Sequence, residues 1–193
     1  MGGAGSWYEA DIERVIVTEE QIAGKTGELA KQVAADYQAV ERLLLVSVLK
    51  GAVMFTADFA RALGRCGIPV ELEFMAVSSY RQGTTSSGVV RILKDLDRDI
   101  GGEHVLVVED IVDSGLTLSW LLKYLASRSP ASVEVASLFR KPGAMRTAPP
   151  LKYVGFDLPS GFVVGYGLDY AERYREMPFL AVLRPEMYRR PAG

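Results

Sequence analysis

At 193 residues, with 49% hydrophobic and 24% charged side chains, the chain has the makeup of one ordinary globular domain with a substantial core. A formal net charge of -2 excludes a global basic field, so neither nucleic acid nor an anionic membrane is an expected partner. The single Cys66 excludes an internal disulfide, and the lone His104 excludes a histidine metal site. The longest apolar run, LLLVSVL, is too short to span a bilayer, and the opening MGGAGSWYEADIE lacks the apolar core of a secretory signal. A cytoplasmic location is the resulting expectation.

In chain order, Thr18 with Gln21 three residues on has capping-box spacing, which predicts a helix over residues 19–37 with Ile22, Leu29, Val33 and Tyr37 near one face. LLLVSVL (43–49) is apolar throughout, as a parallel strand covered on both faces would be. Lys50-Gly51 leads into AVMFTADFARAL, helical in character, with Val53, Phe55, Phe59 and Leu63 available for burial. IPVELEFMAV alternates Val70, Leu72, Phe74 and Ala76 against Glu71 and Glu73, as a strand would. VLVV (105–108) is a second short buried strand, followed by a helix carrying Leu118, Leu121, Leu122 and Leu125 at i, i+3, i+4 and i+7. SVEVASLF (132–139) is again strand-like. This rhythm predicts an α/β fold with a mainly parallel central sheet and flanking helices.

Two regions break the rhythm. SSYRQGTTSSG (78–88) is eleven residues without an aliphatic side chain, long for a connection and suited to a lid. VVRILKDLD behind it reads as a return strand, so 78–102 forms a lid loop or hairpin. Beyond residue 140 the chain turns Pro- and Gly-rich, with short strand candidates in YVGF, FVVGY and FLAVL; these suit a small lobe (about 145–193) or extra edge strands of a single domain spanning 1–193.

The chemistry concentrates in EDIVDSGLT (109–117), at the carboxyl end of a predicted strand, where open α/β sheets bind ligands. Ser114, Gly115 and Thr117 stand at a helix start, and hydroxyls, an approachable glycine N–H and the positive helix end make an anion cup. GxxxxGK[ST] is absent, so the cup is no Walker loop. The vicinal pair Glu109-Asp110 can accept hydrogen bonds from both hydroxyls of a ribose, or bind a hard cation through oxygen. Asp113, just before the cup, falls near the reacting end of such a sugar. Sugar hydroxyls beside a phosphate cup describe a ribose 5-phosphate. A receiver domain, whose acid pair opens the chain, is a rival for VLVVED; it requires a further Asp at a later strand end, and none occurs from Ser114 to Phe156.

Val105–Thr117 resembles the signature of the hypoxanthine-guanine phosphoribosyltransferase family, a type I phosphoribosyltransferase fold, and FDLPSGFVVGYGLDYAERYRE narrows the resemblance to the 6-oxopurine branch. It runs from about residue 43 to about 183. The resemblance implies transfer of 5-phosphoribosyl from 5-phosphoribosyl 1-pyrophosphate (PRPP) to a 6-oxopurine, hypoxanthine or guanine, with Mg²⁺ as cofactor. It assigns Glu109 and Asp110 to the ribose hydroxyls, Asp113 to the proton at the purine's imidazole ring, and Ser114, Gly115, Leu116 and Thr117 to the 5-phosphate. Leu116 stands where some members carry a basic residue, which leaves only its backbone for the phosphate. Lys50-Gly51 matches the pyrophosphate loop, with a cis peptide implied at Leu49-Lys50. Lys141 matches the donor to the purine 6-oxo group, Phe162 the stacking ring and Val163 a backbone contact to the base edge. Asp169 would assist the metal together with Glu109 and Asp110, Arg175 would contact the leaving group, and Ser79-Tyr80 matches the lid dipeptide. Homodimers or homotetramers are usual in the family.

Two other readings stay open at this point. One is a PRPP- or nucleotide-sensing, RNA-binding regulator on the same fold, which would want a basic face with exposed aromatics. The other is a transferase preferring xanthine or adenine.

Overall fold

Thr18 starts the first helix as its spacing predicts: its side chain accepts from the Gln21 N–H at 3.3 Å, and its own N–H donates to the Gln21 side chain at 2.9 Å. The computed structural model describes residues 7–82, 85–159 and 161–188, with the side chains of 79–82 and 85–89 excepted. The elements are β1 (Ile12–Val17), α1 (Glu19–Asp36), β2 (Leu43–Leu49), α2 (Val53–Arg65), β3 (Val70–Gln82), β4 (Thr85–Lys94), β5 (His104–Val112), α3 (Leu116–Ala126), β6 (Ser132–Arg140), β7 (Tyr153–Asp157), β8 (Val163–Val164), β9 (Leu180–Leu183) and α4 (Pro185–Tyr188). Among the described residues no helix is long and apolar enough to cross a membrane.

Six strands form the main sheet in the order β4-β3-β2-β5-β6-β7. Every neighbouring pair is parallel except β3 with β4. The all-apolar β2 has the physical cause its composition suggests. Leu43 and Leu45 pack with Phe55, Phe59 and Leu63 of α2 and with Leu29 and Val33 of α1. Leu44, Val46 and Val48 turn to the other face, where Leu118, Leu121 and Leu125 of α3 cover them. Ser47, the polar exception, is buried but satisfied, accepting from the Thr56 hydroxyl of α2 at 2.7 Å.

The structure departs from the sequence reading in several places. Val53 begins α2 on its outer side and is 36% exposed instead of buried. On β3 the alternation is offset: Met75 is the fully buried residue, whereas Leu72 is 46% exposed. Leu72 pairs with Leu45 and so shares the face of α1 and α2, but it lies beyond the cover those helices give. Of the two forms expected for 78–102, loop or hairpin, residues 78–82 and 85–88 take the hairpin, with Ser79 opposite Val90 and Gln82 opposite Thr85. Backbone pairing satisfies the N–H and C=O groups of a stretch that has no aliphatic side chain to bury.

β1 carries no strong sequence signal and is found only through its partner, the antiparallel β9. YVGF becomes β7 at the edge of the main sheet, while FVVGY and FLAVL supply β8 and β9. The resulting three-stranded sheet, β1-β9-β8, packs against the α1/α2 side of the core through Val17, Val163 and Leu180. Its other side holds Val164, Tyr174, Met177 and Leu183, with Phe162, Tyr170 and Tyr188 against them.

Candidate active site

Parallel pairing aligns β2, β5 and β6, so the turns that leave them gather along one edge: Lys50-Gly51 after β2, Asp113–Gly115 after β5 and Lys141 after β6. This carboxyl edge is where open α/β sheets bind ligands. Glu109 and Asp110 lie inside β5, before the strand ends at Val112.

Among the described residues neither acid of the pair is in a salt bridge. Glu109 is only 8% exposed. Burial, reinforced by the neighbouring Asp110 charge, pushes its carboxyl well above the ordinary range. Asp110 is pushed up to about 6, again by burial, with the Ile111 N–H and Arg175 pulling it down and Asp169 pushing it up. Ionising either acid is costly here, and a hydroxyl donor or a cation would offset that cost. Among the described residues no set of three His, Cys, Asp or Glu side chains is assembled closely enough to cage a metal. Glu109, Asp110 and Asp169 are the carboxylates near this edge that could contribute oxygen ligands to a hard cation.

Gly51 lies against this pair. A β-carbon at residue 51 would overlap the Asp110 carboxylate, and one at residue 167 would overlap the Gly51 carbonyl oxygen. The Leu49-Lys50 peptide is cis, as the resemblance implied. On the far side of Gly167, Arg175 donates to the Gly167 carbonyl at 2.7 Å and pairs with Asp169 at 2.8 Å, while its own carbonyl accepts from the Gly167 N–H at 2.9 Å. Lys50 reaches Glu172 at 2.8 Å, and the Glu172 N–H donates to Asp169 at 3.0 Å. Lys50, Gly51, Asp110, Asp169 and Arg175, spread over the sequence, thus meet in one network.

The 166–175 turn that completes this network uses left-handed backbone at non-glycine residues: Tyr166 (φ 49), Ala171 (52), Glu172 (64) and Tyr174 (79). Each costs of order 1–2 kcal/mol and persists only where surrounding contacts over-determine it. Glu172 and Gly167 were not singled out from sequence. The one signal available was the Gly-Tyr-Gly triplet at 165–167, a turn composition.

Gly115 caps α3 in a left-handed conformation, φ 76, and its absent side chain leaves room for a second buttress: a β-carbon there would lie 2.5 Å from the Thr147 carbonyl oxygen. The N–H groups of Arg146 and Thr147 both donate to the Ser114 carbonyl, at 2.9 and 3.2 Å. Leu116 and Thr117 then open the helix, whose first N–H groups have no partner within it. Residues 146–147, which the sequence reading passed over, thereby set the shape of the cup. Asp113 is exposed in the turn between strand and cup.

At the other end, the Lys141 N–H donates to the Val112 carbonyl and its ammonium reaches the Gly161 carbonyl at 2.9 Å. Lys141 therefore comes to the residue before Phe162. The Phe162 ring stacks on Tyr188 at 5.0 Å and meets Tyr170 edge-on at 5.5 Å. Val163 is buried on the opposite side of β8, packed into the main core. Ser79 and Tyr80 belong to β3 by backbone, and their side chains lie outside the described residues.

Known proteins are similar to this chain in sequence and fold. The family model described as a phosphoribosyl transferase domain matches residues 16–171. A hypoxanthine-guanine phosphoribosyltransferase of Mycobacterium bovis is 53% identical over 192 residues, covering 97% of this chain and 94% of its own. The crystal structure of a hypoxanthine phosphoribosyltransferase from Staphylococcus aureus superposes with a TM-score of 0.91 at 40% identity, over 97% of this chain and 100% of that one. The Trypanosoma cruzi hypoxanthine phosphoribosyltransferase in complex with the product IMP superposes with a TM-score of 0.86 at 47% identity, over 92% of this chain and 97% of that one. Agreement of this extent leaves one conclusion about descent: the chain belongs to the phosphoribosyl transferase family.

Proposed function

We propose that the protein is a hypoxanthine (guanine) phosphoribosyltransferase of purine salvage, joining a 6-oxopurine to the ribose 5-phosphate of PRPP and releasing pyrophosphate. The observation that carries this reading is the meeting of Glu109-Asp110 with the Ser114–Thr117 helix start on one side and with Gly51, Asp169 and Arg175 on the other. A sugar diphosphate that is also a 5-phosphate needs three such stations in a row.

In this reading the 5-phosphate sits on the N–H groups of Gly115, Leu116 and Thr117 and the Ser114 and Thr117 hydroxyls. Glu109 and Asp110 accept from the ribose hydroxyls. The diphosphate lies between the Lys50-Gly51 loop and Arg175, and Asp169, Glu109 and Asp110 are the carboxylates available to magnesium. When bound, magnesium neutralises charge on the departing oxygens. The bond from ribose C1 to the diphosphate oxygen breaks with its electron pair leaving on pyrophosphate, and a purine ring nitrogen donates the pair that forms the new C–N bond. Asp113 takes the proton that the imidazole ring then sheds.

Lys141 would exchange its bond to the Gly161 carbonyl for the purine 6-oxo oxygen. Adenine offers an amino group there, so two donors would face each other, and that selects against it. Phe162 supplies the stacking face and Val163 backbone groups for the base edge. The electron-poor ribose carbon is also open to water, and in this reading the β3–β4 hairpin with Ser79 and Tyr80 would act as the lid that excludes it. Residues 1–193 would act as one domain, with 78–102 as the lid and about 145–193 as the base-binding lobe. A dimer or tetramer accompanies this reading on family membership alone.

The deciding experiment incubates the protein with PRPP, magnesium and, in turn, hypoxanthine, guanine, xanthine and adenine, and scores nucleotide and pyrophosphate. IMP and GMP formation is expected. Turnover of adenine alone, or of no purine, would overturn the assignment.

A further inference from the structure

The start of the 166–175 turn is fixed by the Tyr166 hydroxyl, which donates to Asp58 of α2 at 2.6 Å, and by the close approach of Gly167 to Gly51. Further along, Gly167 and Arg175 exchange backbone and guanidinium bonds, and Tyr170 and Arg173 exchange theirs, which shapes the turn without fixing its 170–175 limb to the rest of the protein. The tie of that limb to the Lys50 loop is the Lys50–Glu172 pair, whose side chains are 68% and 63% exposed and so open to solvent screening. A stronger tie comes from the opposite end of the chain. Tyr174, next to Arg175, is fully buried. Trp7 stacks on its ring at 5.5 Å and 16°, and the Tyr174 hydroxyl donates a hydrogen bond to Asp11 at 2.7 Å. The Arg173 guanidinium lies 4.9 Å from the Tyr174 ring and 5.5 Å from the Trp7 ring, and also reaches Asp11 at 3.4 Å. Asp11 is itself anchored, its carbonyl accepting from the Arg184 N–H at 2.9 Å behind β9.

We propose that Trp7 and Asp11 are positioning residues for the diphosphate end of the substrate: by clasping Arg173 and Tyr174 they hold the left-handed turn, and with it Arg175, against the Gly51–Asp110 side of the site. The inference rests on the function proposed above. Neither residue is placed at the reacting atoms. Trp7 keeps about half of its surface in solvent (51% exposed), so its stacking serves the turn more than the core. Because Tyr174 and Arg175 are consecutive, loosening the first lets the second leave its bonds to Gly167 and Asp169. At the purine end, among the described residues, Lys141 has no hydrogen bond to Trp7 or Asp11, and Phe162 meets Tyr174 only through the shared apolar cluster, so that end should be affected less.

The chain has two tryptophans, so Trp120→Phe leaves Trp7 as the sole reporter. In that background the Trp7 emission should change when magnesium pyrophosphate or PRPP is added and stay constant with hypoxanthine alone. Trp7→Ala and Asp11→Ala should each raise KM for PRPP by about 10-fold, less than the roughly 10²-fold that a 1 Å misplacement can cost, with KM for hypoxanthine changed much less. Trp7→Phe should restore most of the loss, since it keeps a stacking ring. Trp7→Ala is a surface change that leaves the fold intact even if Asp11→Ala does not. Wild-type turnover with PRPP KM unmoved in Trp7→Ala would overturn the clasp while leaving the function standing. Equal losses for PRPP and hypoxanthine, tracking a fall in Tm, would overturn it too, as a purely structural contact. A wild-type protein that does not use PRPP at all would instead remove the function on which the clasp rests.

Discussion

The Asp110 carboxylate fills the space that a side chain on residue 51 would need, so the pyrophosphate-loop candidate and the acid of β5 adjoin only because residue 51 is glycine. The obstructing atoms are the free end of a side chain, not backbone. Gly51→Ala should therefore fold, with Asp110 turned out of place. Binding of PRPP with magnesium should weaken by roughly 10- to 10²-fold, the scale of a 1 Å misplacement. Calorimetric titration beside a thermal melt checks this: unchanged affinity would separate Gly51 from Asp110, and an equal loss of fold would make the contact merely structural.

Burial raises Asp110 from 3.8 to about 6 in the folded protein. The native state then binds this proton more tightly than the unfolded chain, so the contribution of Asp110 to stability is complete below about pH 4 and is lost as pH rises to about 6. Glu109, also raised by burial, acts in the same direction. Carboxylates lowered by partners, such as Glu103 beside Arg42, slope the other way, so the comparison must be with Asp110→Asn. In ligand-free protein the stability of wild type relative to Asp110→Asn should fall by roughly 3 kcal/mol across that window, at 1.36 kcal/mol per pH unit. Urea unfolding at a series of pH values measures it; a flat difference would mean the acid is not desolvated.

Asp113 stands exposed between β5 and the cup, and its carboxylate makes no hydrogen bond or ion pair among the described residues. Asp113→Asn should lower turnover by about 10²–10⁴-fold, the usual worth of general acid–base help, with PRPP binding retained. Single-turnover rates beside a binding isotherm separate the two. An Asn variant of normal rate would take Asp113 out of the chemistry.

Lys141 bonds the Gly161 carbonyl through its ammonium. Lys141→Met keeps length and removes the donor, so affinity for hypoxanthine and guanine should drop by about 10-fold or more, as a charged hydrogen bond of 1.5–3 kcal/mol is lost, while PRPP affinity holds. Discrimination against adenine should narrow in the same variant. Competition binding with both bases tests it, and an unaltered preference for 6-oxopurines would refute the assignment.

Local chemistry alone made much of this protein legible. The apolar β2, the capping box at Thr18 and the leucine spacing of α3 each express a short-range pattern, and each stands where the pattern put it. EDIVDSGLT, too, is a continuous string whose residues meet because one strand passes directly into one helix. Tertiary structure decided whatever depends on partners distant in sequence. β1 exists because β9 returns to pair with it, and Leu72 is exposed because no helix extends over it. The Gly51–Gly167 approach, the Lys50–Glu172 pair and the Trp7–Tyr174 stack join residues more than a hundred positions apart, and no periodicity in either segment encodes the other. Backbone geometry and burial periods act over a few residues, whereas close packing is settled only once the whole chain has folded.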